Sequence, residues 1–303
     1  MVKNKRFLGS LLAFLSAVAV SLVFITSKLA QRTMETRIFL FWWFCCAALW
    51  AIVILIVNRK DFLCYIGKVK TFRWFFLYFV VSESCAAFLF FYVIKQVNPA
   101  IVSFIGSLTP LFVAVIAFFY IKERLCPREI LGGFISIAGV VLITYVSPEI
   151  TVFYTLLVLL MVTIFSFNNV LVKKKTADVP PILITLVRIF FLMLTYLAYN
   201  VIMGGLRLPT VHELWPLLLG SFLGPILGMT FLFTALKYIK STQASLIKNS
   251  QPFLVVLFSY LFLGTGVTLQ QLLAGSLIII GISLMISPKR LNLRAILNRF
   301  IKN

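Results

Sequence analysis

Apolar residues along this chain come in long blocks, and the polar and basic ones fall in the short gaps between them. The hydrocarbon core of a bilayer takes about 20 mostly apolar residues per helix. Blocks of that kind lie at 7–27, 38–57, 72–93, 99–121, 128–146, 152–172, 181–203, 214–236, 242–262 and 270–287. They predict an all-α integral membrane fold of ten transmembrane helices. The first block follows Lys3, Lys5 and Arg6 and holds a small-residue site at Ala17-Val18-Ala19, as a secretory leader does, but the apolar run continues well past it to Thr26. That length reads as a first span rather than a removed leader.

Composition narrows the picture. Of 303 residues, 62% are hydrophobic and 12% charged, with a mean hydropathy of +1.07, whereas a soluble domain is about half apolar and about a quarter charged. A net charge of +20 suggests a nucleic-acid partner only when Lys and Arg form a stripe on a folded surface. Here they sit between spans, and no nucleic acid is expected. The N-terminus, the gaps after the second, fourth, sixth and eighth spans and the C-terminal tail hold 21 basic residues, counting Arg73 and Arg128 at span edges, against 5 in the other gaps. By the positive-inside rule both termini face the cytoplasm, in a multi-pass protein of the cell (inner) membrane. The remaining two basic residues, Arg188 and Lys248, lie inside spans.

The five cysteines show no C-x-x-C spacing and His212 has no partner close in sequence, so neither a metal nor any other cofactor is expected. A membrane-embedded enzyme needs a nucleophile with its base or a carboxylate and histidine cluster. The sequence has one histidine and no GxSxG or HExxH.

Sliding the sequence on itself by 142 residues superposes the third to fifth spans on the eighth to tenth without a gap. Lys95 falls on Lys237, Ser103 on Ser245, Pro110 on Pro252, Gly133 on Gly275 and Gly139 on Gly281; an offset of 145 brings Lys28 onto Lys173. Five spans per half is an odd number, so the halves must enter the membrane from opposite sides as an inverted repeat. The division is a first five-helix repeat at 1–147, a second at 148–288 and a basic cytoplasmic tail at 289–303. Gly132, Ser136 and Gly139, Ala274 and Gly281, and the Gly220, Gly224 and Gly228 stripe read as helix-packing faces.

The segment "SFIGSLTPLFVAVIAFFYIKERLCPREILGGFISIAGVVLI" and its echo "SLIKNSQPFLVVLFSYLFLGTGVTLQQLLAGSLIIIGISLMI" resemble the EamA-type modules of the drug/metabolite transporter superfamily. The likeness covers nearly the whole chain. It implies ten helices around a central cavity that opens alternately to each side, moving a small organic solute. Two features depart from the pattern: Gly264-Thr265-Gly266 replaces Lys122-Glu123-Arg124 in the second half, and the arginine usual near the start of each module's second helix is Arg188 in one half but Trp43 in the other.

Ser103, Ser107 and Pro110 fall at i, i+4 and i+7, on one face of the fourth span, and the 142-residue shift carries them to Ser245, Asn249 and Pro252 on the ninth. Proline frees the carbonyl one turn back, which a membrane tolerates only where protein, water or ligand replaces the lost bond. Both prolines are therefore expected to break their helices beside a shared cavity. Lys248, with Asn249 and Gln251 within a turn, reads either as a cation facing that cavity or as a snorkelling side chain; Arg188 offers the same alternatives and, besides them, a structural tie at the cytoplasmic end. Glu83, near the middle of the third span, reads as a proton-coupling or substrate-contacting group or as one half of an ion pair with Lys248 or Arg188. The repeat sets it opposite Pro225, so both halves are expected to interrupt the same helix level. Asn168 and Asn169 are candidates for the same cavity, with one of them facing a neighbouring helix. Two cations against one carboxylate favour an anionic or amino-acid-like metabolite. The expected partners are that solute, the lipid bilayer and a coupling proton, and a monomer is sufficient for such a carrier. A passive channel is the alternative, though no filter-like loop repeats.

Overall fold

The computed structural model describes residues 2–57, 72–121, 127–148, 150–175, 181–236, 238–239, 244 and 247–286. The regular elements among them are α1 (Val2–Ala30), α2 (Thr36–Val57), α3 (Arg73–Gln96), α4 (Pro99–Gly106), α5 (Thr109–Ile121), α6 (Pro127–Val146), α7 (Val152–Lys175), α8 (Pro181–Ile202), α9 (Val211–Ser221), α10 (Met229–Leu236), α11 (Gln251–Phe258) and α12 (Leu269–Ile286), with π-helical segments at Phe222–Gly228 and Ser259–Leu263. Eight stretches are long and apolar enough to cross a bilayer, and Gln251–Leu263 and Leu269–Met285 add two shorter ones. Proline opens α4, α6 and α8 at a position where its missing N–H costs nothing, and Asn98 Oδ1 caps α4 by accepting the Ala100 N–H at 3.0 Å. Large apolar side chains such as Phe134, Ile202 and Tyr260 are exposed on the bundle surface, the face that a membrane span turns to lipid.

The fourth span is not one helix. It stops at Gly106 and restarts at Thr109, because Pro110 has no N–H for the Gly106 carbonyl. Thr109 Oγ1 donates to that carbonyl instead, at 2.8 Å, and Ser107 Oγ donates to the Phe104 carbonyl at 2.6 Å. The ninth span breaks at the matching place. Asn249 and Ser250 form a turn before α11, Pro252 stands in its first turn, and Ser250 Oγ donates to the Ile247 carbonyl at 2.7 Å. The eighth span behaves differently from its mate: it widens into the π-helical segment around Pro225, whereas α3 runs unbroken through Glu83. The expectation of a common interruption at that level is thus corrected. A carboxylate leaves the backbone ladder intact, and a proline cannot.

The packing of repeat mates fixes the relative direction of the halves. A Cβ on Gly132 of α6 would lie 2.5 Å from the Gly281 carbonyl of α12, and one on Gly139 would lie 3.1 Å from the Ala274 carbonyl. Positions rise along one helix as they fall along the other, so these mates are antiparallel, and the two contacts are images of one another under the 142-residue shift. Ser136 Oγ joins the same face, its one proton shared between the carbonyls of Gly132 at 2.9 Å and Ile278 at 3.3 Å. The mates α2 and α8 are likewise antiparallel: Asn200 Nδ2 donates to the Arg37 carbonyl at 2.9 Å at one end, and Ala47, Ala48 and Ala51 pack with Leu186 and Ile189 further along. Only halves of opposite orientation give this pattern, and the protein is two inverted five-helix repeats. The first helix of each half crosses over: α1 packs on α9, α10 and α11, while α7 packs on α3, α4 and α5.

Candidate functional site

The crossing of α3, α7 and α8 carries a buried polar network. Glu83 Oε2 accepts from Arg188 Nε at 2.6 Å, with side-chain exposures of 6% for Glu83 and 18% for Arg188. Glu83 Oε1 accepts from Asn168 Nδ2 at 2.9 Å, and Asn168 Oδ1 accepts from Ser82 Oγ at 2.9 Å. Nearby on the same helices, Tyr196 OH donates to the Ser84 carbonyl at 2.6 Å. A carboxylate inside a membrane costs several kcal/mol unless it is paired or protonated. Arg188 and Asn168 meet that need here, and of the two cations considered for Glu83 the partner is Arg188. Asn168 is buried in this network, and Asn169 is exposed, as the rotation of about 100° between neighbours requires.

The two helix breaks hold most of the other candidates. Ser103, on α4 leading to the first break, is 3% exposed, and its Oγ is without a hydrogen-bond partner. Ser107 spends its hydroxyl on the Phe104 carbonyl. At the second break Asn249 is buried, with Nδ2 only 3.4 Å from Ser283 Oγ, while Lys248 and Gln251 are half-buried. Neither the Lys248 ammonium nor the Gln251 amide forms a hydrogen bond or ion pair with the described residues. Pro110 and Pro252 both sit at helix starts immediately after the breaks. Ser245 and the 289–303 tail lie outside the described residues.

Two serines that sequence reasoning passed over also reach the breaks. Ser166 Oγ of α7 donates to the Thr109 carbonyl at 3.2 Å, and Ser21 Oγ of α1 is 3.2 Å from the Gln251 carbonyl. The signal was present, since Ser21 and Ser166 are mates at the 145-residue offset already seen for Lys28 and Lys173. Tyr196 has no signal, because a single hydroxyl in an apolar run has no distinguishing spacing, whereas Ser82 and Ser84 flank Glu83 and could have been found from it.

The end of the bundle away from the N-terminus is tied shut among the described residues. Lys28 Nζ donates to the carbonyls of Lys95 and Val97 at 2.7 and 3.0 Å, where the C-terminus of α3 presents its negative dipole end. Lys95 Nζ donates to the Met34 carbonyl at 2.9 Å and Asn98 Nδ2 to the Gly266 carbonyl at 3.1 Å. Arg207 pairs with Glu213, whose Oε1 also accepts from Thr33 Oγ1 at 2.6 Å. The hydrogen bond that Arg207 donates to Glu213 makes the arginine more basic than usual, and the one that Arg37 donates holds Glu35 below the usual carboxylate range. Val97, Ala100 and Ile101 behind this layer are fully buried. Among the described residues no group of three His, Cys, Asp or Glu side chains is placed to hold a metal.

A fold of two inverted halves with paired helix breaks defines a class of integral membrane proteins that handle solutes from within the bilayer. The sequence model of the EamA-like transporter family matches residues 7–145 and, a second time, residues 152–287. The chain belongs to the EamA-like transporter family, and is a multi-pass membrane transporter of small solutes rather than an enzyme. One solved structure, described as "Crystal structure of protein", is similar with a TM-score of 0.64 over 97% of this chain and 99% of its own, at 16% identity. At that identity the likeness shows the fold alone. A search of curated proteins finds no match.

Proposed function

We propose that this protein is a secondary active carrier that moves a small anionic or amino-acid-like metabolite across the cell membrane by alternating access, with both termini in the cytoplasm. The observation that carries this reading is the pair of helix breaks at repeat-mate positions in antiparallel halves. Discontinuous helices near mid-membrane supply backbone groups for solute and coupling-ion binding, and inverted halves give two interchangeable gates. On this reading the tied end is the outer one, and the structure stands closed to the outside.

The charges support the choice of solute. Arg188 neutralises Glu83, and Lys248, with no ion-pair partner among the described residues, is left as a cation beside the second break, suited to a carboxylate or phosphate on the solute. Asn249, Gln251, Ser103 and Ser107 supply hydrogen-bonding groups at the two breaks. Glu83 is the proton-coupling residue: a proton on its carboxylate releases Arg188 and Asn168, and proton loss re-forms the network. The test is counterflow alongside pH-driven uptake in proteoliposomes. Lys248→Gln abolishes or retargets transport while the protein still inserts, because glutamine keeps the length and removes the charge. Glu83→Gln loses gradient-driven accumulation but keeps exchange of labelled for unlabelled solute. Wild-type behaviour of both variants in both assays overturns the site, and steady single-molecule flux without counterflow overturns the carrier in favour of a channel.

A further inference from the structure

Each half of the molecule reaches across to the helix break of the other. Ser166 lies on the first helix of the second half and donates to the carbonyl of Thr109, the residue before Pro110 in the first half. Ser21 lies on the first helix of the first half and approaches the carbonyl of Gln251, the residue before Pro252 in the second half. Ser21 becomes Ser166 by the 145-residue offset and Gln251 corresponds to Thr109 by the 142-residue offset, so the two contacts are one contact repeated by the internal symmetry. Both serines are completely buried.

The two contacts are not equally made. A serine hydroxyl has one proton to donate. Ser21 Oγ is 2.7 Å from the Ala17 carbonyl of its own helix and 3.2 Å from Gln251, so its proton is shared in favour of home. Ser166 makes the crossing bond to Thr109 at 3.2 Å, and no bond from it to Val162, the mate of Ala17, competes. The crossing distances are equal at 3.2 Å, but the first-half break receives the undivided proton of its serine while the second-half break, beside Lys248, receives only a share of one.

We propose that Ser21 and Ser166 are reciprocal hinge-positioning residues, and that the crossing bond passes from Ser166–Thr109 to Ser21–Gln251 when the open and closed ends of the protein exchange. The physical reason is the inverted repeat: the state of opposite access is reached when the two halves trade conformations, and a crossing bond that is undivided at one break here becomes undivided at the other there. This inference rests on the alternating-access reading. Ser166→Ala removes the bond that belongs to the outward-closed state, and Ser21→Ala removes the one that belongs to the outward-open state.

The test is hydrogen–deuterium exchange of the full chain in nanodiscs, read at the outer-end amides of residues 28–37, 97–98, 203–208 and 210–213, with counterflow measured on the same variants. Exchange there is proportional to the population of outward-open molecules. Ser166→Ala is expected to raise it and Ser21→Ala to lower it, each by roughly two- to fivefold, since a hydroxyl released from the crossing bond recovers part of it on its own helix. The double variant returns towards the wild-type rate, and Ser166→Thr, which keeps the hydroxyl, restores it. Changes in the same direction for both single variants, as general loosening gives, or no change in either, overturn the hinge assignment even where counterflow persists. Loss of counterflow in the wild type with the opposite shifts intact removes the carrier reading and leaves the hinges standing.

Discussion

Two crossings in this molecule occupy equivalent places and are built from opposite materials. In one, Ser82, Glu83 and Ser84 of α3 meet Asn168 of α7 and Arg188 and Tyr196 of α8 through hydrogen bonds and an ion pair. The repeat carries these six to Gly224, Pro225, Ile226, Val23, Trp43 and Ala51, and the second crossing is packed rather than bonded. A Cβ on Gly224 would lie 2.8 Å from Val23, one on Gly220 would lie 2.5 Å from the Trp43 ring, and Ile226 shares an apolar cluster with Ala51. Helices of the same fold thus cross equally well over hydrocarbon. The charges of the first crossing are not what this fold requires in order to form, and in a membrane they are costly to keep. A costly feature present at one of two equivalent crossings points to work that this crossing performs.

The largest effect should come from breaking the polar crossing on one side. Arg188→Ala leaves the Glu83 carboxylate buried with no counter-charge, which is expected to cost about 3–5 kcal/mol in stability, and to abolish transport. Reversible unfolding in mixed detergent micelles measures the first, and uptake the second. The double variant Glu83→Leu with Arg188→Met sharpens the comparison, because it makes the first crossing resemble the second. It should regain most of the stability and none of the gradient-driven uptake. A double variant as unstable as Arg188→Ala would show that the ion pair is structural after all.

Next in size is the apolar crossing. Trp43 is 2% exposed, and its ring lies where a side chain at Gly220 would be. Gly220→Ala must push the ring or the Thr26 hydroxyl aside, an overpacking expected to cost about 1–3 kcal/mol. Solute specificity should be untouched, because nothing in this crossing carries a polar group towards solute. A change in substrate profile without loss of stability would mean that the second crossing also lines the path.

The sequence makes the span pattern, the repeat and the breaks at Pro110 and Pro252 legible because each has a period or a fixed offset. The small-residue faces are legible for the same reason: Gly132, Ser136 and Gly139 recur at helical spacing and are in van der Waals contact with α12. Which partner Glu83 takes is not legible, since Lys248 and Arg188 are both more than a hundred residues from it along the chain and only the packing of α3 on α8 selects between them. Nor does sequence show that Pro225 is absorbed as a π turn while Pro110 and Pro252 split their helices. Pro110 and Pro252 are flanked by Thr109, Ser107 and Ser250, whose hydroxyls satisfy freed carbonyls and stabilise a break. Pro225 lies between leucine, glycine and isoleucine, which offer no such replacement, and a wider turn keeps the backbone bonded.

The smallest expected effect tests whether every polar atom of the first crossing matters. Tyr196→Phe removes only the hydroxyl that donates to the Ser84 carbonyl at 2.6 Å. The ring stays, and with it the stack on Phe44 at a centroid distance of 5.9 Å. An interhelical hydrogen bond in a membrane protein is worth on average about 0.6 kcal/mol, and the equivalent contact of Ala51 with Ile226 has no such bond. The variant should therefore lose about that much stability in the same unfolding assay and keep both counterflow and pH-driven uptake. Loss of pH-driven uptake out of proportion to so small a change in stability would place the tyrosine in the proton path with Glu83. The difference between the two crossings would then extend along α8 from Arg188 to Tyr196, two turns of helix, instead of ending at the ion pair.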